Sequence, residues 1–332
     1  MNILNPYGYD EVFASPLWRQ VSDQAELSYQ QRVAAGIEPY FSIRVKTDNA
    51  GTSNNDQVII NAVGGYDLEI RDITTGNVLN TLTGLSGNNT ITTPSAGTFD
   101  FRIIPIGATP FNSIKFSGTG DEGKMKVIRS IGTDVVWDNL DNAFNGCNNM
   151  QGTAITGMGG TGLTSLRETF KSSTFNQPIG DWDVSDVTNM AGMFAFNRDF
   201  NQPIGDWDVS QVASMSNMFN NAISFNQDIG SWNVSNVTSM KGLFTFNGGA
   251  FDQDLSNWDF ESVVDFRDFL NGSQFSTANY DSLLIAVEAT NAELNLDFHG
   301  GTSTFTLGSA AETARSNLIN SQGWTITDSG GV

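Results

Sequence analysis

A chain of 332 residues with 16 Lys and Arg against 36 Asp and Glu carries a formal net charge of −20. That balance argues against a protein that grips phosphate backbones, which needs clustered cations, while 39% hydrophobic residues supply a sizeable core spread over two or three domains. His299 and Cys147 are each the only residue of their kind, which rules out a Cys/His zinc site and an intrachain disulfide and leaves one candidate for histidine-based catalysis. Met1 to Asp10 lack the basic and apolar stretches of a secretory leader, and no run approaches about 18 consecutive apolar residues. The expectation is a soluble chain made in a cytoplasm, with no membrane insertion.

Residues 1–39 read as an attachment arm. After the aromatics Tyr7, Tyr9 and Phe13, Ser15 and Pro16 supply a helix N-cap and first position. Trp18, Val21, Ala25, Tyr29 and Val33 then form one stripe, ended by Gly36. Such a stripe buries on the chain's own next domain or on a partner. Tyr7, Phe13, Trp18, Val21 and Tyr29 are the docking candidates.

Residues 40–123 alternate short strands with Gly/Asn/Ser/Thr turns. Phe41–Val45, Val58–Ile60, Tyr66–Ile70, Thr98–Ile104 and Ser113–Phe116 are the strand candidates, a spacing that predicts a small β-sandwich. The segment Ala96-Gly-Thr-Phe-Asp-Phe-Arg-Ile is similar to the closing strand of PKD-type, immunoglobulin-like domains.

Residues 124–275 are dominated by a repeat. Phe175-Asn-Gln-Pro-Ile-Gly-Asp-Trp-Asp-Val-Ser-Asp-Val-Thr-Asn-Met-Ala-Gly-Met-Phe194 returns as Phe200–Phe219, Phe225–Phe244 and Phe251–Leu270, with degenerate copies ending at Phe144 and Phe170. This gives about six coils. Ile179, Trp182 and Val184 fit a short strand, and Val187, Met190, Met193 and Phe194 fit a helical face. One such unit cannot bury its apolar side alone, so stacking predicts an internal ladder of Trp182, Trp207, Trp232 and Trp258 with Phe194, Phe219 and Phe244. The alternative for the tryptophans is a sugar-stacking platform; their place in the repeat frame favours core packing. Asn176-Gln177, Asn201-Gln202, Asn226-Gln227 and Asp252-Gln253 are expected to hydrogen-bond the turn backbone of the adjoining coil.

This pattern resembles the BspA-like leucine-rich-repeat surface proteins, including the mycoplasma-lipoprotein type. The resemblance implies a leucine-rich-repeat solenoid used for adhesion and protein contact on bacterial surfaces and phage particles. Residues 276–332 read as its α/β cap: a helix from Thr277 to about Ala289, a strand at Leu294–Phe298, a capping box Ser309-Ala-Ala-Glu312 opening a helix that stops at Gly323, and a strand at Trp324–Thr327. The expected fold is thus mixed β and α/β.

Little in the chain reads as chemistry. Asp181 and Asp183, Asp206 and Asp208, and Asp252 and Asp254 recur as a solvated acidic face. Within residues 175–270, 13 acidic residues face 3 basic ones. The glycine-aspartate spacing of calcium rolls is absent, Gly157–Gly162 reads as an inter-coil loop, and His299 precedes a Gly-Gly turn. No catalytic residue, cofactor or metal is assigned. The expected function is a non-enzymatic structural or adhesion protein, an outer phage-virion component made in the host cytoplasm. Its arm would hold other virion proteins and its solenoid a host receptor or glycan, with homo-oligomerisation left open. The alternatives are a bacterial cell-surface adhesin and, more weakly, a carbohydrate-active enzyme.

Overall fold

The computed structural model describes residues 41–106, 113–130, 137–150, 162–248 and 251–332. The expected arm helix and the docking candidates Tyr7, Phe13, Trp18, Val21 and Tyr29 lie outside them.

The strands of the first region are β1 (Phe41–Lys46), β2 (Gln57–Asp72), β3 (Val78–Thr92), β4 (Thr98–Pro105), β5 (Ser113–Lys115) and β6 (Met125–Ser130). Period-two alternation turns Phe41, Ile43 and Val45 inward on β1, and Phe99, Phe101 and Ile103 on β4. Pairing is antiparallel throughout, in the order β3-β2-β4-β1-β6, with β5 also on β2. The expected two-sheet sandwich is corrected to one six-stranded sheet. The physical reason lies in β2, which runs unbroken through both expected strands. Its first half holds β5 (Asn61 opposite Lys115) and its second half holds β4 (Tyr66 opposite Pro105). A bulge at residues 63–65, with Gly64 at φ 123°, joins the halves.

Beyond the sheet, the chain stacks in units of about 25 residues, here called rungs. Leu166 N–H donates to Asn189 O, Met190 to Ser214 O, Met215 to Ser239 O and Met240 to Asp265 O, all at 2.9–3.0 Å. Single parallel bridges run Asn139–Ser165–Asn189–Ser214–Ser239–Asp265. Here the expected leucine-rich-repeat solenoid, with a strand and a helix in each coil and an α/β cap, is overturned. Among the described residues of 138–275 there is no α-helix and no strand beyond these bridges. The Ile-x-x-Trp-x-Val segments are turns, closed by Trp207 N–H to Ile204 O and Val212 N–H to Val209 O. The bridges fall about seven residues after each Trp.

The Val-Met-Met-Phe face is also built from turns. Asn142, Glu168, Asn217 and Asp268 sit at φ 54–59°, with Gly192 and Gly242 at 65° and 63° in the same place. A left-handed residue in each rung stops helix propagation and sends the following N–H groups to the next rung. Regular structure therefore lies mostly in the antiparallel sheet. The only two α-helices among the described residues, α1 (Thr277–Thr290) and α2 (Ala310–Gln322), follow the rungs, with β7 (Asp297–His299) pairing β8 (Thr325–Thr327) in parallel.

Two features explain the repeat motif. Gly180, Gly205 and Gly230 stand where an added Cβ would lie 2.8, 2.6 and 2.5 Å from the carbonyl oxygens of Pro203, Asp228 and Asp254 one rung on, so only glycine lets the rungs close. The asparagines form a ladder: Asn176 Oδ1 accepts from Asn201 N–H, Asn201 Oδ1 from Asn226 N–H, and Asn226 Oδ1 from Asp252 N–H, at 3.0–3.1 Å. The last member, Asp252, accepts from Ser276, whose side chain caps α1.

One core joins sheet and rungs. Phe116 stacks on Phe144 at 5.7 Å, Phe41 meets the Trp137 ring edge-on, and the Gln177 amide exchanges hydrogen bonds with the Ile128 backbone. A buried pair fixes the β1–β2 loop from below. Lys124 Nζ lies within 3.1 Å of Ser53 O, Ser53 Oγ, Asn54 O and Gln57 O, and 3.5 Å from Asp121 Oδ1.

Candidate functional site on the repeat stack

The repeat aromatics are spent inward. Trp182, Trp207, Trp232 and Trp258 are all buried, and the last three stack at 6.4–6.5 Å. Trp207 Nε1–H donates to Ile179 O, Trp232 to Ile204 O and Trp258 to Ile229 O, whereas Trp182 Nε1 finds no partner among the described residues. Its ring meets the Phe170 ring at 5.9 Å. Phe194, Phe219 and Phe244 continue a column from Phe144 and Phe170 with 5.6–5.9 Å between centroids. A second column, Phe175–Phe200–Phe225–Phe251, runs beside it.

Several polar candidates do local work. Asp183 and Asp208 accept from the backbone of Ser185 and Ser210, Asp254 from Ser256, and the Asp208 carboxyl is held low by its bonds from Ser210. His299 lends its carbonyl to Leu270 N–H at the end of the stack. Cys147 is buried; burial first, and Glu122 second, push its thiol well up, out of reach of thiolate chemistry. Of the Gly157–Gly162 loop only Gly162 is described, donating to Asp186. Among the described residues no three His, Cys, Asp or Glu are grouped to hold a metal ion, and no helix is long and apolar enough to cross a membrane.

The outward features lie on the turn edge. Each rung has a second left-handed residue: Gly146, Ser172, Phe196, Asn221, Phe246 and Gly272, at φ 52–80°. Backbone bonds set these in line, Ser172 N–H to Ala195 O, Phe196 to Asn220 O, Asn221 to Thr245 O and Phe246 to Asn271 O. Glycine and asparagine take that conformation readily; a phenylalanine there is strained. Phe196 is nonetheless 47% exposed and Phe246 57%. A Cβ on Gly272 would overlap the Phe246 ring, which lies over the next rung.

Beside Phe196 a shallow groove of about 350 Å³ crosses three rungs, with Arg167, Glu168 and Lys171 on one, Phe196 on the next, and Asn217 and Asn220 on the third. Lys171 Nζ sits 2.9 Å from Glu168 Oε1 and Arg167 3.9 Å from it. Asn220 Nδ2–H donates to Asn217 Oδ1, while Asn220 Oδ1 is buried with no partner among the described residues. A smaller groove of about 260 Å³ lies where the bridge ladder ends, between Val264–Arg267 and Asn295–Asp297. The Arg267 guanidinium there holds the Asp265 carboxyl below its usual range. Sequence reasoning missed the exposed edge because its residues fall outside the repeat motif. The available signal was Phe-x-Phe-Asn at 194–197 and again at 244–247, a second aromatic at a position no core frame requires.

A family model described as "Mycoplasma protein of unknown function, DUF285" matches the chain over residues 138–248 and 164–283. No curated protein and no solved structure matches it. The match names that family and not the BspA-like leucine-rich repeats; the rungs of this chain are similar to DUF285 repeats.

Proposed function

We propose that this chain is a non-catalytic display and contact protein, an outer component of a phage particle held there by its N-terminal segment. One observation carries the reading. The aromatic column starts at Phe116 on the sheet side and continues through Phe144, Phe170, Phe194, Phe219 and Phe244. Sheet and rungs thus share one core, and inward positions are committed to self-packing. Outward positions are left to vary, and along one edge they hold Ser172, Phe196, Asn221 and Phe246. Such a surface recognises a partner by its side chains without changing the rungs beneath. Placement on a particle rests on the resemblance of the repeats to surface-displayed repeat proteins.

The test is mass spectrometry of purified particles from the phage that encodes the chain, alongside a variant lacking residues 1–36. The expected result is the intact chain in the particle and its loss on deletion. Recovery only in the host envelope fraction would replace this reading with a cell-surface adhesin.

A further inference from the structure

We propose that the groove at Phe196 seats a saccharide carrying a carboxylate, with a sugar face on the Phe196 ring and the carboxylate on Lys171 and Arg167. This deepens the display reading and rests on it. The first observation is the ring itself: Phe196 keeps a left-handed backbone at φ 59° and stays half exposed, where Asn221 fills the equivalent place without strain. Strain retained at an exposed aromatic points to use of that ring. The C–H face of a pyranose packs on an aromatic plane, and its hydroxyls need donors and acceptors around the rim. Asn217 and Asn220 line that rim as a hydrogen-bonded pair of amides.

The second observation is charge. Arg167 and Lys171 share the single carboxylate of Glu168, and among the described residues no other charged side chain lines the groove. One positive charge is left over in a chain of net charge −20, so an anionic group complements the groove. Lys171 makes the shorter contact to Glu168 and keeps donors free after that bond. Two rungs along the same edge, Phe246 repeats the exposed ring with Asn221 between, which gives a longer oligosaccharide a second platform.

The test uses the full chain and two probe pairs, sialyllactose against lactose and a hexuronate disaccharide against its neutral counterpart. Saturation-transfer NMR and calorimetry supply the readouts. At least one acidic probe is expected to bind at least tenfold tighter than its neutral partner, less tightly as salt rises. Phe196→Asn should weaken binding of both members of the pair tenfold or more while the melting temperature holds or rises. Lys171→Gln should remove the preference for the acidic probe and keep the residual neutral binding. No binding by any probe, equal binding of acidic and neutral partners, or unchanged affinity in Phe196→Asn would each overturn the inference. Particle incorporation of Phe196→Asn separates the two levels. Incorporation with no saccharide binding by the parent sinks only the groove assignment, whereas absence of the parent from particles sinks the display reading.

Discussion

The sheet and the rungs solve the same problem with opposite wiring. In the sheet, backbone partners come from far apart in sequence: β1 pairs β4 through Phe41 opposite Ile103, and β6 through Ile43 opposite Ile128. In the rungs, almost every inter-unit bond joins residues 23–26 apart, such as Met190 to Ser214 and Phe219 to Leu243. The sheet is therefore one all-or-none unit whose closure waits on distant pairings, while the stack is a sum of nearest-neighbour contacts. Polar groups follow the same division. The sheet buries a charged pair, Asp121 and Lys124, whereas the stack uses neutral amides and leaves its carboxylates in turns.

The largest expected effect breaks the stack in the middle. Phe219 touches Phe194, Phe225 and Phe244, so Phe219→Ala should cost about 3–5 kcal/mol in chemical denaturation. Hydrogen exchange should speed up in residues 194–244 while β1, β2 and β4 stay protected. Simultaneous loss of protection in the sheet would show the two regions to be one cooperative unit.

In the sheet, Lys124→Met leaves Asp121 charged and buried without its cation, a loss of about 3 kcal/mol or more, read as a lower denaturation midpoint. A smaller cost, about 1–3 kcal/mol, is expected for Gly205→Ala, whose new methyl meets Asp228 O. Ser210→Ala nearby should cost less, since it removes only an exposed hydroxyl bond to Asp208 and keeps the backbone N–H bond. Equal costs would remove close approach as the reason for that glycine.

The gentlest test is acid. Burial alone would raise the Asp121 carboxyl, but bonds from Ser53 Oγ–H, Ser53 N–H and Ile59 N–H, together with Lys124, outweigh it and hold the group below its ordinary value. A carboxyl lowered in the folded state adds stability above its unfolded pKa of about 4 and loses it as pH falls through the folded value. Melting temperature followed from pH 7 to pH 2 should decline in that acid window. Asp121→Asn should begin lower and decline less; a parallel curve would dismiss the contribution of Asp121.

Sequence pattern disclosed the period, the inward aromatics and the asparagine contacts, because each rests on identity repeated at fixed intervals. It misjudged how the chain travels between anchors. Spacings of three, three and one at Val187, Met190, Met193 and Phe194 fit a helical face and successive turns equally well, and the left-handed residue at Gly192 decides between them. Strand β3 went unseen for a different reason: Val78–Thr92 is an edge strand, almost wholly exposed and rich in Asn, Thr and Gly, so it shows no alternation. The β2 bulge hid the continuity of a strand that reads as two. The groove escaped because it is made by three rungs at once, and no single motif contains it.

The glycine contacts and the asparagine ladder make each rung a piece with matching top and bottom faces. Inserting or deleting one in-register copy of about 25 residues leaves both faces as they were. Each copy moves the terminal helices relative to the sheet by one strand spacing, about 5 Å. The stack thereby acts as a gauge with discrete settings, whose reach changes by gene duplication or unequal recombination, and by whole increments only.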